Sequence, residues 1–163
     1  MKEFPHSLKI ATVWLVVGVA VFLGFRYVEH ERARTSFQVT RTGVIEIRRG
    51  PDGHYHWPGS INGRAVDFLI DTGATSTAMS QAVARELALE PVRRVQSQTA
   101  GGVVTGELVR ADVVLQGGVR VERLAIVALS GLGERPLLGM DVMGRLRWQQ
   151  RDGVLTIDTE ASP

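Results

Sequence analysis

The 163-residue chain contains no cysteine. This excludes disulfides, Cys-ligated zinc and thiol catalysis, and it leaves the redox compartment open. Lysine is almost absent as well: Lys2 and Lys9 are the only two, and every later cation is arginine. Those arginines are scattered (Arg48/Arg49, Arg93/Arg94, Arg145/Arg147) and the formal net charge is only +2. Solvated surface is therefore expected, and no stripe that would bind nucleic acid. The chain has no heptad run, no low-complexity tract and no repeat of fixed period, which excludes coiled coils and solenoids. His54 and His56 stand two apart, on one face of a strand. They read as an exposed edge strand without further ligands beside them, so no metal site or cofactor is expected. Trp57 and Trp148 are expected to pack.

One long apolar run is present. Ile10 to Phe25 is free of charge, and with Arg26 snorkelling the run extends to Val28. Sixteen residues at about 1.5 Å each reach ~24 Å, short of the ~30 Å hydrocarbon core, and nineteen come close to spanning it. A cleaved signal peptide is the rival, since Lys2 and Lys9 make a basic leading region, but Leu23-Gly24-Phe25-Arg26-Tyr27 is a poor cleavage context. The reading is a retained signal anchor in the lipid bilayer at residues 10–28, after a flank at 1–9 and before a polar stalk at 29–39. Charge does not orient it, because Lys2 and Lys9 are matched by Arg26, Arg32 and Arg34. Residues 40–163 are enough for one domain with a real core.

That domain reads as β. Val44-Ile45-Glu46-Ile47 ends at the turn Pro51-Asp52-Gly53. His54 to Ile61 and Arg64 to Ile70 flank Asn62-Gly63, a strong hairpin signal. Ser80 can cap a short helix that stops near Pro91. Val95 to Val109 reads as a second hairpin with its tip at Ala100-Gly101-Gly102, and Ala111 to Leu129 as a third, turning at Gly117-Gly118. Pro136 to Met140 is another apolar strand, followed by a short helical segment through Leu146. Val154 to Ile157 closes the chain after Gly153. Short strands, glycine turns and one or two short helices indicate an all-β, barrel-like domain.

Asp71-Thr72-Gly73-Ala74-Thr75 ends the apolar run Val66 to Ile70 and occurs once. A tight turn after a buried strand can display a catalytic carboxylate, and two facing carboxylates can share one proton and activate water. A single copy then implies either a homodimer or no catalysis. By itself the triplet could be an ordinary Asx turn. Ile157-Asp158-Thr159 imitates it, but Glu160 replaces the glycine, so a closing strand is expected there. Asp141 is expected to cap the helix that follows it.

Phe68 to Ala74, together with Leu137-Leu138-Gly139-Met140-Asp141 downstream, resembles the retropepsin-like aspartic peptidases. The order of elements from about Val44 to Ile157 is similar to the bacterial membrane-anchored, single-lobe members. The resemblance implies a retropepsin-like barrel, and an aspartic endopeptidase in which each subunit of a homodimer contributes Asp71. It implies that Thr72 braces the two loops across the dimer axis and that Gly73 lets the backbones approach. Gly101 and Gly102 would form a flap tip, and Leu138 and Gly139 would support the active-site strand from behind. Thr75 stands where viral relatives carry an acidic residue that contacts substrate, which bears on specificity. The implied partners are a second copy of the chain and a peptide or protein substrate. The implied site is the bacterial inner membrane, with the peptidase domain periplasmic. A catalytically silent peptide-binding or scaffold relative and a structural envelope domain remain the alternatives.

Overall fold

The computed structural model describes residues 14–26, 36–39, 43–99 and 101–159. The chain divides into two units, Met1–Arg34 and Thr35–Pro163. In the first, residues 14–26 form a helix, α1, with exposed side chains throughout, Trp14, Phe22 and Phe25 among them. Among the described residues no helix is long and apolar enough to cross a membrane. Residues 10–13 and 27–28 of the expected anchor lie outside the described residues, as do the flank at 1–9 and residues 29–35 of the expected stalk.

The second unit contains eleven described strands and two short helices. In chain order these are β1 (Ser36–Val39), β2 (Val44–Arg48), β3 (His56–Ile61), β4 (Arg64–Ile70), β5 (Ala78–Ser80), α2 (Gln81–Glu86), β6 (Pro91–Thr99) and β7 (Gly102–Leu115), followed by β8 (Val119–Leu129), β9 (Leu137–Leu138), α3 (Met140–Met143), β10 (Arg147–Arg151) and β11 (Val154–Asp158). The large sheet runs β1-β8-β5-β9-β4-β3-β7-β6, and a further β7–β8 pairing closes it. Six strands thus form a barrel, β8-β5-β9-β4-β3-β7, with β1 and β6 attached outside the ring. A second sheet, β10-β11-β2, adds Ile47, Leu155 and Ile157 to the same core as the barrel residues Trp57, Ile61, Phe68, Met79 and Ile126.

Local chemistry explains the hairpins. Asn62 and Gly63 both take positive φ, 48° and 80°, as a two-residue hairpin turn that matches the strand twist requires. Alternation in β4 turns Phe68 and Ile70 inward, and Trp57 and Ile61 do the same from β3. Ser80 caps α2 as expected, its Oγ accepting from Val83 N–H at 3.2 Å.

Some boundaries differ from the sequence expectation. Residues 36–39, assigned to the stalk, form β1 in antiparallel register with β8. Residues 102–115 form a single strand where two hairpins had been expected to divide near Arg110. One edge of that strand pairs first with β6 and then with β3, while its other edge pairs with β8. β5 carries no distinct signal of its own; it is three buried residues held by β8 and β9.

Candidate active site

Asp71 stands at the exit of β4. Its position is set by a short parallel pairing in which Leu69 lies beside Leu137 and Ile70 beside Leu138. Asp71 N–H continues this ladder to the Leu138 carbonyl at 3.0 Å. Leu138 is fully buried behind it. The turn then folds on itself: Gly73 N–H donates to Asp71 Oδ1 at 2.9 Å and Ala74 N–H to the Asp71 carbonyl at 3.2 Å. The first bond fixes the rotation of the carboxylate and leaves the remaining oxygen for other partners. Asp71 and Ala74 are half-buried, whereas Thr72, Gly73 and Thr75 are exposed. The single loop thus presents its threonine and glycine to solvent.

The loop is braced from below by the segment after β9. Ala74 and Thr75 carbonyls accept from Met140 and Asp141 N–H at 2.8 and 3.1 Å. A Cβ at Gly139 would lie 2.5 Å from Ser76 C, 2.7 Å from Ser76 O and 2.8 Å from Thr77 N, all backbone atoms. Only glycine permits this approach. Asp141, expected to cap α3, does not: Gly139 occupies the N-cap position and Asp141 lies in the first turn. Its carboxylate instead reaches across the chain to Thr77, taking the backbone N–H on Oδ2 at 2.9 Å and the hydroxyl on Oδ1 at 2.8 Å. Thr77 Oγ1 in turn accepts from Gly139 N–H at 3.2 Å. The pairing spans 64 positions, so nothing local in the sequence signals it.

Above the loop, β6 and β7 form a long hairpin whose turn contains Gly101. Gly102 has a φ of 107°, and its carbonyl accepts the Thr99 hydroxyl at 2.8 Å. Loop and hairpin enclose a cleft of about 850 Å³. Asp71, Gly73, Ala74 and Thr75 line one side, Gly101 and the face of β6 another, and Leu108, Val127, Leu129 and Leu137 a third. The expected loop and hairpin-tip glycine therefore meet at one cavity, while Leu138 and Gly139 lie behind it. Of the described residues lining the cleft, Asp71 is the sole carboxylate.

A charged cluster flanks the middle of β4, where Asp67 stands opposite Pro58 of β3. His56 Nε2 lies 2.8 Å from Asp52 Oδ2 and Nδ1 lies 3.2 Å from Asp67 Oδ2, with Arg135 Nε 3.4 Å from the same Asp67 oxygen. The edge-strand reading of the histidines is corrected here: β3 lies between β4 and β7, His56 is half-buried, and strand pairing and the turn at Asp52 bring two carboxylates to it. His54 itself precedes β3. Hydrogen bonds from the His54 backbone N–H and the His56 ring hold the Asp52 carboxyl below its usual range. Among the described residues no cluster of His, Cys, Asp or Glu has a geometry that could hold a metal ion.

An Asp-Thr-Gly loop on an inner strand, locked to an apolar Leu-Leu-Gly segment beneath a glycine-tipped hairpin, is matched by a known family. Residues 57–145, more than half of the chain, match the family described as "gag-polyprotein putative aspartyl protease". The chain belongs to this retropepsin-like family. A crystal structure of a retropepsin-like aspartic protease from Rickettsia conorii is similar at a TM-score of 0.57, covering 77% of this chain and 94% of that one at 21% identity. That likeness shows the barrel to be a retropepsin-like fold. Two curated relatives are uncharacterized proteins. One, from Rickettsia prowazekii (strain Madrid E), is 26% identical over 169 residues, covering 96% of this chain and 73% of that protein. The other, described as lying in the cobV 5' region of a Sinorhizobium species, is 27% identical over 166 residues, covering 91% and 71%. Within the family frame, Thr77 and Arg93 are site-shaping residues that sequence reasoning did not single out, and Asp141 is one that it read as a helix cap.

Proposed function

We propose that this family member is an aspartic endopeptidase that works as a homodimer, each subunit contributing one Asp71. The observation that carries the reading is a single oriented carboxylate in a cleft large enough for an extended peptide. One carboxylate cannot supply both the base and the acid that water attack on an amide requires, whereas two brought together by a symmetry axis can. The exposed Thr72 and Gly73 support this, since they leave the loop open to a second copy. In the proposed reaction, the ionised Asp71 takes a proton from water and the resulting hydroxide attacks the peptide carbonyl carbon. The protonated Asp71 of the second copy donates to the carbonyl oxygen. Collapse of the tetrahedral intermediate breaks the C–N bond, and the amine leaves with a proton returned by the dyad. The hairpin carrying Gly101 and Gly102 closes over substrate. The chain is anchored in the bacterial inner membrane by residues 10–28, with its peptidase domain on the periplasmic side.

Asp71→Asn is the test. Asn keeps an oxygen for the Gly73 N–H and removes only the titrating group, so fold and self-association are expected to persist while peptide cleavage is lost. Cleavage by the variant at the wild-type rate would sink the proposal. A wild-type chain that binds peptides without cutting them would point to a silent binding module.

A further inference from the structure

The face that β6 turns toward the cleft carries a residue with no role in the chemistry above. In the β6–β7 register Arg93 stands opposite Leu108, Val95 opposite Gly106, Ser97 opposite Val104 and Thr99 opposite Gly102. Arg93, Val95, Ser97, Thr99 and Leu108 all line the cleft, and near the hairpin tip Gln96 and Gln98 from the alternate positions reach it as well, whereas Arg94 does not. Side chains alternate along a strand, so Arg94 belongs to the other face, where it stands opposite Glu107. The cross-strand neighbour of Arg93 is a leucine, and its guanidinium makes no hydrogen bond or ion pair with the described residues. Of the described residues lining the cleft, Asp71 and Arg93 alone carry charge. The rest of the lining includes an aliphatic set, Leu108, Val127, Leu129, Leu132 and Leu137.

From this arrangement we infer that the cleft selects peptides in which an acidic side chain accompanies an aliphatic one, with Arg93 reading the acid. This rests on the cleft being the peptide site proposed above. An aliphatic side chain buries its surface against the aliphatic set. A carboxylate two or more residues along the extended peptide reaches the guanidinium, whose planar donor fork suits it. Basic peptides are disfavoured by the same cation. Because Arg93 is exposed, the discrimination is modest, about fivefold.

The test uses the full-length protein and end-blocked apolar peptides in which Glu or Gln is placed at each position in turn. At one position the ratio of kcat/KM for Glu over Gln is expected to be about five, to fall to about one in Arg93→Gln, and to invert in Arg93→Glu in favour of a Lys peptide. Arg93→Lys is expected to keep part of the preference, which separates a charge effect from misfolding. A wild-type ratio of one at every position, or a ratio unchanged in Arg93→Gln, would overturn the inference. Binding of the same peptides to Asp71→Asn, read by fluorescence anisotropy, separates the two proposals. A Glu preference in binding without any wild-type cleavage would uphold Arg93 while ending the peptidase reading. No Glu preference in either measurement would end the Arg93 inference alone.

Discussion

Replacing Thr77 by valine removes one hydroxyl from a site that is 0% exposed and changes the shape very little. Two bonds go with it. Asp141 Oδ1 loses a 2.8 Å donor and Gly139 N–H loses a 3.2 Å acceptor. A hydrogen bond to a charged group contributes about 1.5–3 kcal/mol, and a buried donor left unpaired costs about 1–3 kcal/mol. The Gly139 bond is long, so its share falls at the low end, and the added methyl is better buried than the hydroxyl it replaces. A net loss of about 2–3 kcal/mol is expected, a large fraction of the ~5–15 kcal/mol that holds a typical domain together. Thr77→Ser is the control: it keeps the hydroxyl, loses one methyl, and is expected to cost only about 1 kcal/mol. Urea denaturation read by the fluorescence of Trp57, which is 1% exposed and donates to the Gln116 carbonyl at 2.8 Å, reports the change. The midpoint is expected to fall in the order wild type, Ser, Val, with the slope unchanged, and by about 1–2 M for Val. Protein concentration must be held constant, since self-association would add to apparent stability. A valine variant within about 0.5 kcal/mol of wild type, or one more stable than the serine variant, would refute the brace between Thr77, Asp141 and Gly139.

Gly139→Ala places a Cβ against the Ser76 and Thr77 backbone, so the loop or β9 must shift. A loss above about 2 kcal/mol is expected in the same assay, and a wild-type midpoint would show that the contact is slack. Peptide cleavage is expected to rise more steeply than linearly with enzyme concentration near the dimer dissociation constant. First-order dependence down to dilutions where sedimentation shows monomer would mean that one Asp71 suffices. Because the Asp52 carboxyl is held low in the folded state, its contribution to stability is present above its unfolded value of about 3.9 and is lost as pH falls through the folded one. The midpoint gap between wild type and Asp52→Asn is thus expected to shrink from pH 5 to pH 3, and a constant or widening gap would contradict that assignment. Alkaline carbonate extraction is expected to leave the full-length protein in the membrane fraction; release to the supernatant would refute a spanning anchor.

The sequence alone was enough for the features whose physics is local. Asn62-Gly63 specifies its hairpin because those two residues tolerate positive φ. Ser80 specifies the start of α2 because its side chain reaches an N–H three residues on. The run ending at Ile70 specifies a buried strand, and Asp-Thr-Gly a tight turn at its end. The glycines at 101 and 102 likewise mark a hairpin tip. Each of these needs only neighbours a few positions away.

Other features existed only once distant segments had met. β1 and β5 are too short to carry a pattern and are strands because β8 and β9 supply their hydrogen bonds. Asp141 looked like a helix cap because sequence shows only its neighbours; the barrel closure that carries β9 beside β4 gives it Thr77 instead. The same holds for His56, whose carboxylates come partly from the facing strand, and for Arg93, which differs from Arg94 only in the strand face it occupies. A period of two assigns those arginines to opposite faces, but only the closed barrel decides which face looks into the cleft with Asp71. The chain's residue order therefore determined its hairpin turns, the Ser80 cap and the loop that bears the carboxylate. Long-range pairing decided what braces that loop and which charge accompanies it, because such pairing follows from burying the whole core at once.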